Sequence, residues 1–456
     1  MDNIIKLLGI EDEEIEITKV ETIGKQKVIT VETKPARHFC PSCGSRMYSR
    51  GIKRRKVRHS ILQDGYELVI NLNQRRWKCT APDCGYDLAE QFKFVGKYKQ
   101  TTNATEMLIV DAFRDFSATA AQIGEQFHVS DHHAIDVFER YVHMERLPLT
   151  EAISVDEVYL DMDRYCKYVL VIQDFRTGEP IDLVISRRNN ITEPYFFKIP
   201  REERERVRYL VSDMYNPYIA YVDRYFPNAV PVVDSFHVTQ WIIRELDNFL
   251  RQLLKTFRQR DMEREIALSE ERGRPVTLPV SHEIYLLQHH RWVLLKNQSE
   301  INYSMPARKD YHYGFLMDTY KYEELFFEMH PDLQELRSLK EEYICFNSRN
   351  AGNPEKAAAE LDALIQYYLS CRHEIFIRFA NLLQQYRQPI INSFILFEKT
   401  GSKGPYNARL SNGPIESLNR KAKDMKRNAR GFSNFEHLRN RFLFATRENA
   451  AVSFRK

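Results

Sequence analysis

The sequence predicts a multidomain α/β protein in which a mixed β-sheet is interrupted by an all-α insertion. Residues 151–250 alternate short apolar strands with helices, whereas residues 251–405 are rich in helix formers and in aromatic residues at helical spacing. Two close cysteine pairs and a run of basic residues precede the alternating region. Because 456 residues suffice for about three domains, we expect small N-terminal modules followed by a split α/β domain.

The net charge of +4, from 67 Lys and Arg against 63 Asp and Glu, conceals an uneven distribution. Residues 44–63 carry a net charge of +7 and residues 403–456 carry +9, which leaves −12 for the remainder. Two basic segments on an otherwise acidic chain favour contact with a polyanion at two places. Ordinary solvated surface is an equally good interpretation of charge alone.

The chain has no apolar run of about 18 residues or more, and it begins with an acidic stretch rather than a cationic signal segment. We therefore expect no membrane partner and a cytoplasmic location. The seven cysteines include two close pairs. In a reducing compartment such pairs favour metal ligation over disulfides.

The two cysteine pairs, Cys40-Pro-Ser-Cys43 and Cys79-Thr-Ala-Pro-Asp-Cys84, are separated by 35 residues. Together they offer four soft ligands for a tetrahedral Zn²⁺ ion, and a closed site of this kind is structural. Residues 66–72 alternate like a strand between the pairs, as a zinc ribbon requires. Four unrelated thiols are the alternative. The adjacent cations Arg54, Arg55 and Lys56 are candidate DNA contacts.

A helix-turn-helix is predicted between residues 99 and 148. An apolar helical face at 107–113 is followed by a second helix at 118–127 and a third that Ser130 can cap. In such a unit the N-terminal residues of the third helix lie nearest the bases, which makes His132 and His133 candidate DNA contacts. A helical hairpin with no role in nucleic-acid binding is the alternative.

Acidic residues mark the strands of the α/β region. The first strand contains Asp156, the fourth ends at Asp213, and the fifth ends at Asp234. The predicted order βββαβαβα is that of the ribonuclease-H-like fold, in which the first and fourth strands lie side by side. Asp156 and Asp213 are therefore expected to be neighbours, with Asp234 one strand further away.

A third acid, Glu416, falls on a predicted basic helix. Glu416, Arg420, Lys423 and Arg427 share one face of that helix, so an acid is followed by cations suited to a phosphate backbone. Carboxylates are the hard oxygen ligands that Mg²⁺, or Mn²⁺ in its place, prefers. Two such ions stabilise the attacking and leaving oxygens of phosphodiester chemistry. Each acid taken singly is more often a solvated surface group.

The sequence resembles bacterial insertion-sequence transposases with a DDE catalytic core, specifically the ISL-three family, from about residue 35 to residue 447. The resemblance implies binding of terminal inverted repeats, metal-dependent strand cleavage, and transfer of the 3′ hydroxyl into target DNA. The matching stretches are CPSC, CTAPDC, the Asp-Glu pair at 156–157, YLVSDMYNPY, FPNAVPVVDSFHV, RWVLLKN and GPIESLNRKAKDMKRNARGFSNFEHLRNRF.

The resemblance leaves the second acid open. Related transposases carry a (Cys/Asp)-x-x-His motif that Asp234-Ser-Phe-His237 matches, and one interpretation makes Asp234 itself the second acid. Strand topology favours Asp213. His237 is expected to orient the scissile phosphate or an acid, or else to make a structural hydrogen bond. Trp241, one helical turn further on, is a candidate for stacking on a displaced base, with a core position as the alternative.

The resemblance also bears on the long insertion, which in similar transposases holds flanking DNA or the dimer partner. Its aromatic residues Trp292, Tyr311 and Tyr313 are candidate DNA contacts, although the core of a helical bundle is the favoured interpretation. Double-stranded DNA is the expected partner, and synapsis of two element ends favours a homodimer.

The sequence thus predicts a DNA transposase with structural Zn²⁺ and catalytic Mg²⁺ or Mn²⁺. The rival hypotheses are a non-catalytic DNA-binding regulator derived from a transposase and a structure-specific nuclease of the same fold. The predicted segments are an N-terminal segment at 1–34, a zinc-binding ribbon at 35–98, a helix-turn-helix domain at 99–148, the first part of the catalytic core at 149–250, the α-helical insertion at 251–405 and the second part of the core at 406–456.

Overall fold

The computed structural model describes residues 2–10, 12–61, 65–162 and 166–450. Arg455 and Lys456, which count towards the basic C-terminal segment, lie outside the described residues. The chain forms two compact units. The first contains Met1–Arg146, Tyr159–Tyr168 and Arg420–Lys456, and the second contains Leu147–Val158 and Val169–Asn419.

The strands are β1 (Ile15–Ile23), β2 (Gln26–Thr33), β3 (Met47–Arg58), β4 (Glu67–Cys79), β5 (Asp87–Ala89), β6 (Ala152–Tyr159), β7 (Tyr168–Asp174), β8 (Pro180–Val184), β9 (Tyr209–Ser212), β10 (Val230–Val233), β11 (Arg308–Lys309), β12 (Leu316–Met317), β13 (Leu396–Gly401) and β14 (Gly404–Arg409). The helices are α1 (Asp2–Leu7), α2 (Asn103–Ala112), α3 (Ala120–Gln126), α4 (Asp131–Tyr141), α5 (Asn189–Phe197), α6 (Arg201–Arg204), α7 (Asn216–Tyr225), α8 (Ser235–Arg272), α9 (His282–His289), α10 (Trp292–Leu295), α11 (Thr319–Met329), α12 (Asp332–Arg349), α13 (Pro354–Leu369), α14 (Glu374–Gln385), α15 (Arg387–Asn392), α16 (Gly413–Asn428) and α17 (Phe435–Thr446), with a 3₁₀ turn at Gln298–Glu300.

The first unit contains a sheet with the strand order β1-β2-β4-β3, to which β5 adds beside β4. Alternate residues of β4, namely Leu68, Ile70 and Leu72, are buried, because the two-residue period of a strand turns one face towards the core. The N-terminal strands and the cysteine-bearing strands therefore share one sheet. Strand β3, which carries the basic run, lies at its edge, where charged side chains discourage pairing with other chains.

Three short helices follow this sheet in the first unit. The side chain of Ser130 accepts a hydrogen bond from the backbone N–H of His133 and so caps α4, as the sequence predicts. Between α3 and α4 the chain turns through His128, whose φ is 54°. A Cβ on Gly124 would lie 2.8 Å from the carbonyl oxygen of Val129, so glycine permits this close approach.

A buried carboxylate on α2 forms ion pairs with α4 and with the segment that precedes α2. Glu106 on α2 is fully buried, and its oxygens lie 2.6 Å from Lys99 Nζ and 2.9 Å from Arg140 Nη1. Burial alone would raise the pKa of Glu106, but hydrogen bonds from Lys99 and Tyr141 and the nearby cations outweigh it and lower the pKa. The carboxylate is therefore held in its charged form.

We expect Glu106→Gln to lower the free energy of unfolding by about 2 kcal/mol at pH 7, because Lys99 and Arg140 lose their shared counter-charge. The folded-state pKa of Glu106 lies below the ordinary glutamate value of 4.5. Its stabilisation is thus fully present above pH 4.5 and is lost as the pH falls through the folded-state value. Denaturant unfolding of the wild type and the variant at pH 7 and near pH 3 measures this, with the exposed Glu125→Gln on α3 as control. An equal loss at both pH values would contradict the assignment.

The second unit contains a sheet with the strand order β10-β9-β6-β7-β8. The first strand of this region, β6, runs parallel to the fourth, β9, and β9 runs parallel to the fifth, β10. The adjacency of the first and fourth strands that the sequence predicts is therefore present. Apolar side chains from both faces of the sheet are buried, since helices α5 and α7 pack on one face and the β13–β14 hairpin on the other.

The long helix α8 leads from this sheet into the helical part of the second unit. It begins after Asp234, whose side chain accepts a hydrogen bond from the N–H of Phe236, and it ends at Gly273 in the left-handed conformation. The predicted boundary at residue 250 therefore falls inside one continuous helix. Buried side chains of α8, α12, α13, α14 and α15 form a common apolar core.

The aromatic residues of the helical part have different environments. Tyr313 is half-buried and stacks on His282 with ring centroids 4.7 Å apart. Tyr311, two residues earlier, is 89% exposed, and Trp292 is also exposed. Among the described residues, no helix combines the length and the apolar character needed to span a membrane.

Candidate functional site

The four paired cysteines converge in the first unit. The Sγ atoms of Cys40 and Cys84 lie 3.6 Å apart, and those of Cys43 and Cys79 lie 3.4 Å apart. In the described part of the chain these four residues form the one group of three or more His, Cys, Asp or Glu side chains whose ligand atoms all lie within 4.8 Å of one another. Zn–S bonds of about 2.3 Å give a tetrahedron with edges of about 3.8 Å, so the sulfur cluster fits zinc.

The backbone conformation at two glycines helps to position the cysteines of this cluster. Gly44 and Gly85, each directly after the second cysteine of a pair, have φ values of 71° and 59°. This left-handed conformation favours glycine and lets the chain fold back around the sulfurs. Cys40, Met47 and Cys79 are buried together in a small apolar cluster. The predicted zinc-ribbon cysteines are thus brought together by β3, β4 and their turns.

Asp156 lies near the end of β6 in the second unit. Its Oδ1 accepts a hydrogen bond of 2.8 Å from the backbone N–H of Glu157. Burial, together with the charges of Asp213, Glu157 and Glu416, raises the pKa of Asp156 to about 7, against the backbone hydrogen bond from Glu157, which lowers it. Asp213 and Glu416 therefore lie close enough to Asp156 for their charges to act on its carboxylate.

Asp213 directly follows β9, the strand beside β6. Ser154 pairs with Val211 in the parallel register, so two further residues along each strand bring Asp156 level with Asp213. The Oδ1 atom of Asp213 is buried and has no hydrogen-bond partner among the described residues. An unpaired buried carboxylate oxygen is costly unless a cation or water satisfies it.

Glu416 lies in the first turn of α16, where the positive end of the helix dipole favours a carboxylate. Its Oε1 lies 3.8 Å from Nε2 of His237, which belongs to the first turn of α8. Ile415 and Leu418 are buried, so α16 packs through an apolar face beside the one that carries Glu416. The carboxylates of Asp156, Asp213 and Glu416 do not all lie within 4.8 Å of one another.

Asp234 has a different environment from the other acids. It is 3% exposed, and both of its carboxylate oxygens accept backbone hydrogen bonds. Oδ1 accepts from the N–H of Phe236 at 2.9 Å, and Oδ2 accepts from the N–H of Asn412 at 2.8 Å. These bonds cap α8 and fasten the chain just before α16. The side chain of Asn412 has no hydrogen-bond partner among the described residues, so it does not cap α16.

Two polar residues beside Asp156 are not among the predicted site residues. Asn419, one turn after Glu416 on α16, donates a 2.6 Å hydrogen bond from Nδ2 to Asp156 Oδ2. Asn419 follows Glu416 by three residues, which places the two side chains next to each other on a helix, and this spacing was the sequence signal that could have identified it. Glu157 accepts hydrogen bonds from Arg187 and from the hydroxyl of Tyr218. Glu157 is therefore held by side chains other than the acids.

The predicted DNA contacts near the N terminus divide into exposed and inward-facing residues. Arg54 and Lys56 are exposed on β3, whereas Arg55 donates hydrogen bonds to the carbonyl oxygens of Gly96 and Lys99. His132 is exposed at the start of α4, but Nε2 of His133 lies 3.2 Å from the Thr101 hydroxyl. Burial lowers the pKa of His133, which favours its neutral form.

The remaining predicted DNA contacts lie on two helices. Trp241 on α8 stacks on Phe379 with ring centroids 5.5 Å apart and packs against the apolar core of the helical part. Arg420, Lys423 and Arg427 are exposed on α16. Arg427 forms an ion pair of 2.8 Å with Asp424, three residues earlier.

Comparison with known proteins supports the predicted resemblance. The profile of the transposase family DDE_Tnp_ISL3 matches residues 153–442. The transposase for insertion sequence element IS1001 of Bordetella parapertussis is 20% identical over 292 residues, which cover 62% of this chain and 65% of that relative. The match thus spans slightly less than two thirds of the relative's length. The chain belongs to the ISL3 family of insertion-sequence transposases.

Proposed function

We propose that this chain is a DNA transposase that binds terminal inverted repeats, cleaves a DNA strand and transfers the resulting 3′ hydroxyl into target DNA. We further propose that its second sheet is a ribonuclease-H-like core with Asp156, Asp213 and Glu416 as catalytic acids. The observation that carries this proposal is the meeting of three carboxylates from the ends of β6 and β9 and the first turn of α16. The strand order β10-β9-β6-β7-β8 supports the assignment of the fold.

The donor set fits hard divalent cations, and we assign Mg²⁺ or Mn²⁺ to Asp156, Asp213 and Glu416. The buried Asp213 Oδ1 has no partner in the described structure, and the negative charges of Asp213 and Glu416 act on the carboxylate of Asp156. Divalent cations bound there supply charge neutralisation for the attacking and leaving oxygens of a phosphodiester displacement. His237, beside Glu416, is placed to orient that carboxylate.

The proposed chemistry has two balanced steps. In the first, a water oxygen bonds to phosphorus and the P–O3′ bond breaks, which leaves a 5′ phosphate and a free 3′ hydroxyl. The proton of the water passes to solvent, and the departing 3′ oxygen takes a proton. In the second, that 3′ hydroxyl attacks a target phosphodiester, a new P–O3′ bond forms, and the target strand's own 3′ oxygen leaves as a hydroxyl.

DNA recognition is assigned to the exposed basic residues and to the helical unit α2–α4. We propose that α3 and α4 form a helix-turn-helix with His132 facing the bases, supported by its exposure at the start of α4. Arg54 and Lys56, together with Arg420, Lys423 and Arg427, are proposed to contact phosphates, since all five are exposed. Two element ends must be joined in one reaction, so we propose a homodimer on DNA.

The test of this function is strand cleavage by Asp156→Ala on DNA that carries the inverted repeats flanking the gene. We expect the cleavage rate in Mg²⁺ to fall by at least about 10³-fold, roughly 4 kcal/mol of transition-state stabilisation. Binding of the same DNA should stay within about threefold of wild type at fixed salt. Glu193→Ala, an exposed acid on α5, is the control.

Three results would contradict the proposal. Normal cleavage by Asp156→Ala would remove this aspartate from the mechanism. A wild-type protein that binds the repeats but never nicks them would be a non-catalytic DNA-binding regulator. Cleavage without joined donor–target products would indicate a nuclease of the same fold.

A further inference from the structure

The amide of Asn419 is buried against the candidate catalytic acids. The side chain is 7% exposed and lies one helical turn beyond Glu416 on α16. Its Nδ2 is 2.6 Å from Asp156 Oδ2 and 3.5 Å from the carbonyl oxygen of Glu157. Asn419 on α16 therefore contacts the carboxylate of Asp156 on β6 directly.

The chemistry of these neighbours fixes the orientation of the amide. The carbonyl oxygen of Glu157 only accepts hydrogen bonds, and an ionised carboxylate oxygen of Asp156 likewise only accepts. Both lie on the side of the amide nitrogen, which is the donor. The carbonyl oxygen, Oδ1, must therefore point away from both of them.

Asn419 Oδ1 is buried and has no hydrogen-bond partner among the described residues. Leaving such a group unsatisfied costs about 1–3 kcal/mol, so buried polar atoms are normally paired with protein, water or an ion. Asp213 Oδ1, on the strand beside Asp156, is unsatisfied in the same way. Two buried oxygens with spare lone pairs thus occur among the candidate acids.

We propose that Asn419 is a positioning residue that holds Asp156 through Nδ2 and offers Oδ1 to the divalent cation, directly or through one of the cation's waters. This proposal rests on the proposed function, because it requires a cation at Asp156, Asp213 and Glu416. Amide carbonyls are hard oxygen donors of the kind such cations accept. The hydrogen bond to Asp156 Oδ2 also leaves fewer orientations open to that carboxylate, which preorganises it.

The experiment measures Mn²⁺ binding to the full chain without DNA, by calorimetry and by the Mn²⁺ electron paramagnetic resonance spectrum. We expect Asn419→Leu to weaken Mn²⁺ binding by about 10- to 100-fold, the usual loss when a partner of a metal ligand is removed. Binding of terminal-repeat DNA should stay within about threefold of wild type. Asn428→Leu, an exposed asparagine near the end of the same helix, is the matched control.

Asn419→Asp separates the two roles of the amide. It retains an oxygen for the cation but replaces the donating nitrogen with a second oxygen that repels Asp156. We expect Mn²⁺ affinity at least fivefold above that of Asn419→Leu, with a cleavage rate at saturating Mn²⁺ at least about tenfold below wild type. If Asn419→Leu fails to fold, the smaller Asn419→Ser replaces it in the binding measurement.

The outcomes distinguish this inference from the proposed function. Wild-type protein without specific Mn²⁺ binding, or Asp213→Asn with unchanged Mn²⁺ binding, would overturn the proposed metal site itself. Specific binding that Asp213→Asn abolishes but Asn419→Leu leaves within twofold of wild type would overturn the role of Asn419 alone. Failure of Asn419→Asp to recover affinity would overturn the donation of Oδ1.

Discussion

Asp213→Asn is expected to reduce strand cleavage by at least about 10³-fold while leaving the thermal stability of the metal-free protein unchanged or higher. The carboxylate of Asp213 repels that of Asp156 and so raises the pKa of Asp156. Replacing it with a neutral amide removes the repulsion but also removes a charged ligand from the proposed cation site. The measurements are the single-turnover cleavage rate in Mg²⁺ and the melting temperature without metal.

Asp234→Asn is expected to have the opposite effect, namely a lower stability of the folded protein with strand cleavage largely retained. The new NH₂ group would face the backbone N–H of Asn412 or Phe236, where the native oxygens accept hydrogen bonds. We expect a loss of about 1–3 kcal/mol in the free energy of unfolding. Cleavage by the fraction that remains folded should fall far less than in Asp213→Asn. Asp223→Asn, an exposed aspartate on α7, is the control for both variants.

This pair of variants decides the open question of the second acid. A stable Asp234→Asn protein without cleavage activity, beside an active Asp213→Asn protein, would make Asp234 the second acid instead. The structure offers a physical reason to expect the first outcome. Both oxygens of Asp234 already accept backbone hydrogen bonds, whereas Asp213 Oδ1 has none in the described structure.

Cys79→Ser is expected to abolish stoichiometric zinc binding and to lower the melting temperature of the first unit by more than 10 °C. Structural zinc sites contribute roughly 10 kcal/mol or more in small domains, because the ligands converge only in the folded chain. Cys79 ends β4, the strand that pairs with β2, β3 and β5, so losing the ion should loosen the whole sheet. Zinc content by atomic emission and thermal unfolding measure the effect.

Cys345→Ser is the matched control for the zinc prediction, because Cys345 is an exposed thiol on α12 in the second unit. It should retain one zinc per chain and the wild-type melting temperature. Retention of one zinc by Cys79→Ser would show that the four-cysteine set is not the site. An unchanged melting temperature after chelation would show that the ion does not stabilise the sheet.

The arrangement of strands could be predicted from the sequence because it depends on patterns that extend over many residues. Alternating apolar strands and helices specify which strands become neighbours, and from this the proximity of Asp156 and Asp213 follows. The cysteine cluster was predictable for a similar reason. Its spacing is a property of the sequence, and the zinc geometry demands convergence.

The environments of single side chains could not be predicted in this way. Arg55 and Lys56 are adjacent cations, yet one donates to backbone carbonyls and the other is exposed. That difference depends on the loop at 96–99, which no local pattern places against β3. Asn419 resembles any polar residue on a basic helix, and its partner Asp156 lies 263 residues earlier in the chain.

The late position of Glu416 in the chain, after the whole helical part, has a consequence for the timing of biosynthesis. About 200 residues separate Asp213 from Glu416, and at 5–20 residues per second a ribosome needs roughly 10–40 s to add them. During that interval a nascent chain already contains its cysteine cluster, its basic edge strand and two of the proposed catalytic acids. It lacks the third, which arrives only after the segment carrying Asn412 has been synthesised. In the proposed mechanism, the N-terminal DNA-binding elements are therefore made before the catalytic site is complete, and Glu416 is added together with the cations of α16.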